Sequence, residues 1–249
     1  MVVAGDGSQT IGEELIYRPL PRRKNWLTSM VEAAKSLFLI LSALFPIVDP
    51  LGGSPIFLAM TREYSPSMRR ALSWRIAMNS FMLLVGSYFI GTHILSFFGI
   101  SLPVVQVGGG LIVISTGWML LKQGNDDDQK EVRQDIQPKD PYHNAFYPLT
   151  LPLTVGPGSI SVAVTLGANA PHHLGLSLWS ILAAIVGCVL LAVSIFLCYG
   201  FADRLGRILG ATGMTVITQL SSFLLVCIGV QILWNGARVL LGSVPLQMH

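Results

Sequence analysis

The stretch Asp49-Pro50-Leu51-Gly52-Gly53-Ser54-Pro55 interrupts an apolar segment that runs from Leu37 to Met60. We call it the first break. The second break, Thr154-Val155-Gly156-Pro157-Gly158-Ser159, interrupts another apolar segment, from Ala145 to Leu166. Prolines remove backbone donors and disturb helices, so each break leaves backbone N–H and C=O groups unpaired. At membrane depth such backbone is tolerated only where it is buried in protein or lines a cavity. Breaks at corresponding positions of two halves of a chain therefore predict a binding site between the halves.

The composition is that of an integral membrane protein. The chain of 249 residues is 52% hydrophobic and 12% charged, with a mean hydropathy of +0.61, whereas soluble domains carry about 25% charged residues. Its apolar blocks are long enough to cross a hydrocarbon core of ~30 Å. The three cysteines, Cys188, Cys198 and Cys227, all lie inside these blocks and favour a role as small core residues. No cofactor motif, metal-binding spacing or catalytic motif is found, and we expect no enzyme.

The order of polar and apolar stretches divides the chain into two repeats. We predict a polar N-terminal extension (1–29), a first transmembrane repeat (30–121), a polar linker (122–144), a second transmembrane repeat (145–241) and a tail (242–249). Each repeat holds one interrupted segment and two continuous ones. Because three spans are an odd number, the second repeat must be inverted relative to the first. The predicted fold class is therefore an all-α membrane protein with six transmembrane helices in two inverted three-helix repeats, the first and fourth helices being broken.

An alternative topology lets both interrupted segments enter and leave the membrane on the same side. Arg204 and Arg207 would then lie opposite the other basic loops, and the excess of Lys and Arg on cytoplasmic loops slightly favours this arrangement. However, the N-terminal basic residues lie mostly in the polar extension, where that rule is weaker. We expect six crossings in the cytoplasmic membrane, with both termini periplasmic.

Each break is expected to start a new half-helix. Ser54 precedes Pro55, a pattern typical of a helix N-cap and first helical position, and Ser159 is expected to cap in the same way. The glycines would allow backbone conformations that other residues avoid. Helix N-termini attract carboxylates, and the carbonyls of unwound backbone attract an ammonium group or a cation. A small neutral amino acid carries both groups and would fit beside glycine.

The predicted site consists of both breaks. Asp49 is the only carboxylate deep in an apolar segment, and such groups are functional by default. Three roles remain open for it: binding an ammonium group, coupling to protons, or capping a helix. Gln106 and Gln219 either connect helices or line the site. The predicted substrate-binding residues are Asp49, Pro50, Gly52, Gly53, Ser54, Pro55, Thr154, Gly156, Pro157, Gly158 and Ser159.

Three motifs resemble the MarC family of bacterial integral membrane proteins. They are Pro-Ile-Val-Asp-Pro-Leu-Gly-Gly-Ser-Pro-Ile-Phe-Leu (46–58), Val-Gly-Gly-Gly-Leu-Ile-Val (107–113) and Pro-Leu-Thr-Val-Gly-Pro-Gly-Ser-Ile-Ser (152–161). The resemblance covers residues 37–241 and implies six transmembrane helices in the cytoplasmic membrane. The family includes a small neutral amino acid transporter, which implies movement of glycine or alanine for some members. Its first break often begins with Asn, so a role specific to Asn does not carry over to Asp49.

Two classes of function follow from these observations. The first is a secondary transporter of small neutral amino acids, working by alternating access and driven by an ion or substrate gradient. The alternative is a non-transporting membrane scaffold or regulatory subunit, or efflux of other small solutes. The expected partners are the small neutral amino acid and the lipid bilayer, without nucleic acid, and homo-oligomerisation stays open.

Overall fold

A computed structural model describes residues 26–122, 145–170 and 178–242, all built from helices and connecting turns. Most of the predicted extension, almost all of the predicted linker and most of the tail lie outside these ranges. The helices are α1 (Trp26–Val48), α2 (Pro50–Met60), α3 (Pro66–Phe97), α4 (Leu102–Lys122), α5 (Pro157–Ala168), α6 (Leu178–Gly200) and α7 (Ala202–Gly242). Helix α7 contains a kink at Gly210.

The first interrupted segment is a nearly continuous span. Helix α1 stops at Val48 because Asp49 takes left-handed backbone angles (φ 42°, ψ 62°), and α2 begins at the following proline. Despite this interruption, Met30–Met60 is long and apolar enough to cross a membrane as one unit of 31 residues. The first break therefore lies within a span.

The second interrupted segment is strongly bent. Residues Ala145–Thr154 form wide turns, with extended backbone at Tyr147 and Leu151. In these turns the hydroxyl groups of Thr150 and Thr154 each donate to the carbonyl oxygen five residues earlier, at 2.6 and 2.7 Å. Helix α5 follows at an angle of 68° to this segment. The described residues hold five helices able to cross a membrane, or six spans if the bent pair counts as one.

One ion pair favours one of the two predicted topologies. Nη1 of Arg69, at the start of α3, lies 2.6 Å from Oδ1 of Asp203, at the start of α7. The two helix starts therefore lie on the same side of the membrane, and an even number of crossings must separate them. The described chain between them contains α3, α4, the bent segment (Ala145–Ala168) and α6. If α3, α4 and α6 each cross once, the bent segment crosses as well, which favours six crossings over the re-entrant alternative.

The glycines of α4 and α7 bring these two helices into backbone contact. A Cβ atom at Gly110 would lie 2.6 Å from the amide nitrogen of Leu233, and one at Gly117 would lie 2.9 Å from the carbonyl oxygen of Ser222. Later residues of α4 thus contact earlier residues of α7, so the two helices are antiparallel.

The middle helix of each repeat packs on the interrupted segment of the other repeat. Helix α3 meets the bent segment first at Asn79, whose amide lies 3.4 Å from the Thr150 hydroxyl, and further along at Gly91, which contacts Val164. Helix α6 meets α1 at Gly187 and then α2 at Tyr199. Both pairs are parallel, while α4 and α7 are antiparallel, which is the set of directions that inverted repeats require.

Candidate functional site

Parts of both breaks line one cavity of about 80 Å³ at the centre of this arrangement. The first break contributes Asp49 and Gly53, and α4 contributes Val113 and Thr116. The residues of the second break that line the cavity are Thr154, Gly156, Pro157, Gly158 and Ser159. The structure therefore brings together seven of the eleven predicted substrate-binding residues, from segments about a hundred residues apart in the chain.

Asp49 caps helix α2 with its own side chain. Its Oδ1 accepts a hydrogen bond from the amide of Gly52 at 3.0 Å, and its carbonyl oxygen accepts from the amide of Gly53 at 2.9 Å. The expectation that a new helix starts at Ser54 is therefore wrong: Ser54 lies inside α2, where its hydroxyl donates to the carbonyl oxygen of Leu51. The pair Asp49-Pro50 itself supplies the N-cap and first helical position.

Helix α5 has no comparable cap. Gly156 occupies its N-cap position and has no side chain to offer. The predicted capping role of Ser159 is also wrong, because its hydroxyl donates to the carbonyl oxygen of Gly156 at 2.9 Å. Among the described residues, the amides of Gly158 and Ser159 have no hydrogen-bond acceptor. The N-terminus of α5 therefore presents free N–H groups and the positive end of the helix dipole to the cavity.

The two breaks consequently differ in their electrostatics. At the first break the carboxyl group of Asp49 already occupies the helix N-terminus. At the second break the equivalent position is open. The same cavity thus has a carboxyl group on one wall and an unoccupied anion-binding helix end on another.

The glycines of the breaks serve close packing rather than unusual backbone conformations. In both breaks only Asp49 has a positive φ angle. A Cβ atom at Gly53 would lie 2.5 Å from the Tyr199 hydroxyl oxygen, and one at Gly158 would overlap a methyl group of Val113. The expectation of glycine-specific backbone angles is therefore wrong, and the glycines instead let neighbouring helices approach the cavity.

Tyr199 connects the two breaks, and sequence reasoning missed it. Its hydroxyl lies 3.0 Å from that of Thr154, and its ring stacks on Phe57 with a centroid distance of 4.8 Å. The side chain is 1% exposed. The sequence offered one signal for this role, a tyrosine near the end of a long apolar run. A phenol buried there needs a hydrogen-bond partner from another segment.

The remaining predicted residues do not line the cavity. Gln106 lies 3.5 Å from the Thr165 hydroxyl and so connects α4 to α5, which matches the helix-contact alternative. Gln219 is half-buried in α7 without lining the cavity. The four predicted residues of the first break that do not line the cavity are Pro50, Gly52, Ser54 and Pro55.

Comparison with known proteins identifies the family. The model of the family described as "MarC family integral membrane protein" matches residues 34–241. The chain belongs to the MarC family. None of the solved structures matches it.

Curated relatives from the MarC family cover nearly the same region. The inner membrane protein MarC of Citrobacter koseri is 31% identical over 214 residues, which span 83% of this chain and 96% of the relative. The inner membrane protein MarC of Salmonella typhimurium is 30% identical over 213 residues, with the same coverage of both chains. These names and the apolar spans make this chain a multi-pass protein of the bacterial inner membrane.

Proposed function

We propose that this protein is a secondary transporter of small neutral amino acids of the glycine and alanine class, rather than an enzyme. The observation that carries the proposal is the pairing of Asp49 with the uncapped N-terminus of α5 in one cavity. An amino acid carries an ammonium group that complements the carboxyl group of Asp49. Its carboxylate complements the free amides of Gly158 and Ser159.

The size of the cavity favours a small side chain. Its volume is about 80 Å³, roughly half that of the ~150 Å³ protein cavity that accommodates benzene. The walls beside the polar groups are apolar and include Ile56, Val113 and Leu225. A hydrogen atom or a methyl group suits this space, whereas a long or charged side chain does not.

The helix directions support alternating access between two inverted repeats. In such transporters the substrate lies near the midplane and one repeat rocks against the other. The cavity lies between elements of both repeats, and Asp49 is the candidate for proton coupling. The proposed orientation has both termini in the periplasm, with the ends of α3 and α7 that carry Arg69 and Asp203 on the cytoplasmic side.

The test is counterflow of radiolabelled glycine and alanine by the purified protein in liposomes. We expect saturable exchange of both substrates. Asn at position 49 keeps an oxygen that can cap Gly52 and tolerates a left-handed backbone, so Asp49→Asn removes only the charge. Loss of exchange in Asp49→Asn is the result expected if Asp49 binds the ammonium group. Exchange that persists while pH-driven uptake is lost would assign Asp49 to proton coupling instead. Absence of exchange of any small amino acid by folded protein would contradict the proposal and favour a non-transporting role.

A further inference from the structure

A second concave region lies at the side of the molecule that holds the start of α3 and the start of α7. It is an open groove of about 690 Å³, and we call it the arginine groove. Its charged residues are Arg70, Asp203, Arg204 and Arg207, and its aromatic residues are Trp74, Phe196 and Phe201. It shares no lining residue with the cavity between the breaks.

Within the described part of the chain, the positive charge of the groove is not neutralised. Of the described residues that line the groove, only Asp203 is acidic, and it is paired with Arg69 at 2.6 Å. Among the described residues, Arg70, Arg204 and Arg207 form no ion pair. The first turns of α3 and α7 also border the groove and add the positive ends of two helix dipoles.

Contacts within the protein hold two of these arginines in place. The guanidinium of Arg204 lies 5.5 Å from the centroid of the Phe201 ring. Nε of Arg207 donates to the backbone carbonyl oxygen of Asp203 at 3.2 Å. Both contacts leave terminal guanidinium N–H groups available for an anion, and planar guanidinium groups match phosphate oxygens well.

Aromatic side chains form the other wall of the groove. Trp74 packs edge-on against Phe196 at a centroid distance of 5.7 Å, and 56% of Trp74 is exposed. Helices α3 and α6, which carry these two rings, are membrane-spanning. An amphipathic ring near the end of a span is typical of the interface between lipid headgroups and acyl chains.

We propose that the arginine groove binds the phosphate headgroup of an anionic phospholipid, with the acyl chains running along Trp74 and Phe196. A soluble phosphate would need the arginines alone, whereas a lipid accounts for the basic and aromatic walls together. Arginines that only set topology require no common groove and no contacts that orient them.

The test is lipid retention by the full chain, measured by native mass spectrometry after delipidation and addition of phosphatidylglycerol. Arg204→Gln should weaken retention about fivefold, and Arg70→Gln with Arg204→Gln should weaken it further. Arg62→Gln is the matched control, because Arg62 is exposed in the loop before α3 and lies outside the groove. It should change retention less than twofold, and phosphatidylcholine should bind weakly to every variant.

Three outcomes would overturn the proposal. Equal losses in Arg62→Gln and Arg204→Gln would show a general effect of surface charge. Equal retention of phosphatidylcholine and phosphatidylglycerol would remove the role of headgroup charge. Thermal stabilisation by inorganic phosphate that matches the effect of phosphatidylglycerol and depends on Arg204 would assign the groove to a soluble anion. Amino acid exchange is not a readout of this test, so its result is independent of the proposed transport function.

Discussion

Installing a carboxylate at the N-terminus of α5 should block transport without unfolding the protein. In Gly156→Asp, the new side chain would cap α5 as Asp49 caps α2. The backbone at this position is extended (φ −88°, ψ 177°), as is usual for an N-cap, so it accepts aspartate without strain. The introduced carboxylate would occupy the amides that we assign to the substrate.

The contacts of Gly156 set the expected changes in stability and in substrate affinity. Replacing a glycine N-cap by aspartate gains a few tenths of a kcal/mol, with up to about 1 kcal/mol from the helix dipole. Against this gain, the added Cβ would lie 3.2 Å from the carbonyl oxygen of Pro152, a slightly tight contact. Loss of one hydrogen bond to a charged carboxylate costs about 1.5–3 kcal/mol. Substrate affinity should therefore fall roughly ten- to hundredfold. A charged side chain at membrane depth costs up to ~2.5–3.5 kcal/mol of stability, which the new cap partly offsets.

The assay compares the concentration dependence of glycine counterflow in Gly156→Asp and Gly156→Ala. The alanine variant makes the same contact with Pro152 but carries no carboxylate, so it should exchange glycine with an affinity close to that of the unmodified chain. Thermal unfolding in detergent checks that both variants are folded. Unchanged glycine affinity in folded Gly156→Asp would refute the assignment of the substrate carboxylate to α5.

Three further predictions concern the packing around the breaks, each measured by unfolding in detergent micelles. Asp49→Ala should lose about 2 kcal/mol, from the cap and from the left-handed backbone, whereas Asp49→Asn should lose little; equal losses would contradict the capping role. Gly53→Ala should destabilise the protein because its Cβ meets the Tyr199 hydroxyl. Adding Tyr199→Phe should relieve that cost, since the nearest ring atoms are 3.4 Å away. Losses of stability that are strictly additive in the double variant would refute the contact. Gly110→Ala should cost about 1–3 kcal/mol because the backbone of α7 cannot move aside. By comparison, Gly108→Ala meets nothing within 4 Å and should be tolerated, so similar losses at both positions would contradict the packing.

Local sequence was sufficient to predict the positions of the spans and of the breaks. Long apolar runs and Gly-Pro interruptions are local signals, and they are enough to predict six spans, which agrees with the five or six candidate spans of the described residues. The helix starts were harder to predict. Both Asp49-Pro50 and Ser54-Pro55 fit an N-cap followed by proline. The earlier pair prevails because Asp49 tolerates the left-handed backbone and caps the Gly52 amide, whereas Ser54 stays helical although Pro55 follows it.

The role of each glycine could not be predicted from local sequence. Gly53 faces Tyr199, and Gly158 faces Val113, both from other helices. These partners lie far away along the chain, and a single sequence does not show which residues meet in space. For the same reason the cavity could be placed near the breaks, but Thr116 and Val113 could not be assigned to its wall.

The unequal shapes of the two interrupted segments have a geometric consequence. One is nearly straight through its break, while its counterpart is bent by 68°. The proposed alternating access between inverted repeats implies a second arrangement, in which the two shapes are exchanged. In that arrangement the span from Met30 to Met60 would bend at Asp49, the segment from Ala145 to Ala168 would straighten, and a path open to one side of the membrane would open to the other. Asp49, the only non-glycine residue with a positive φ angle among the described residues, lies where that bend would have to form.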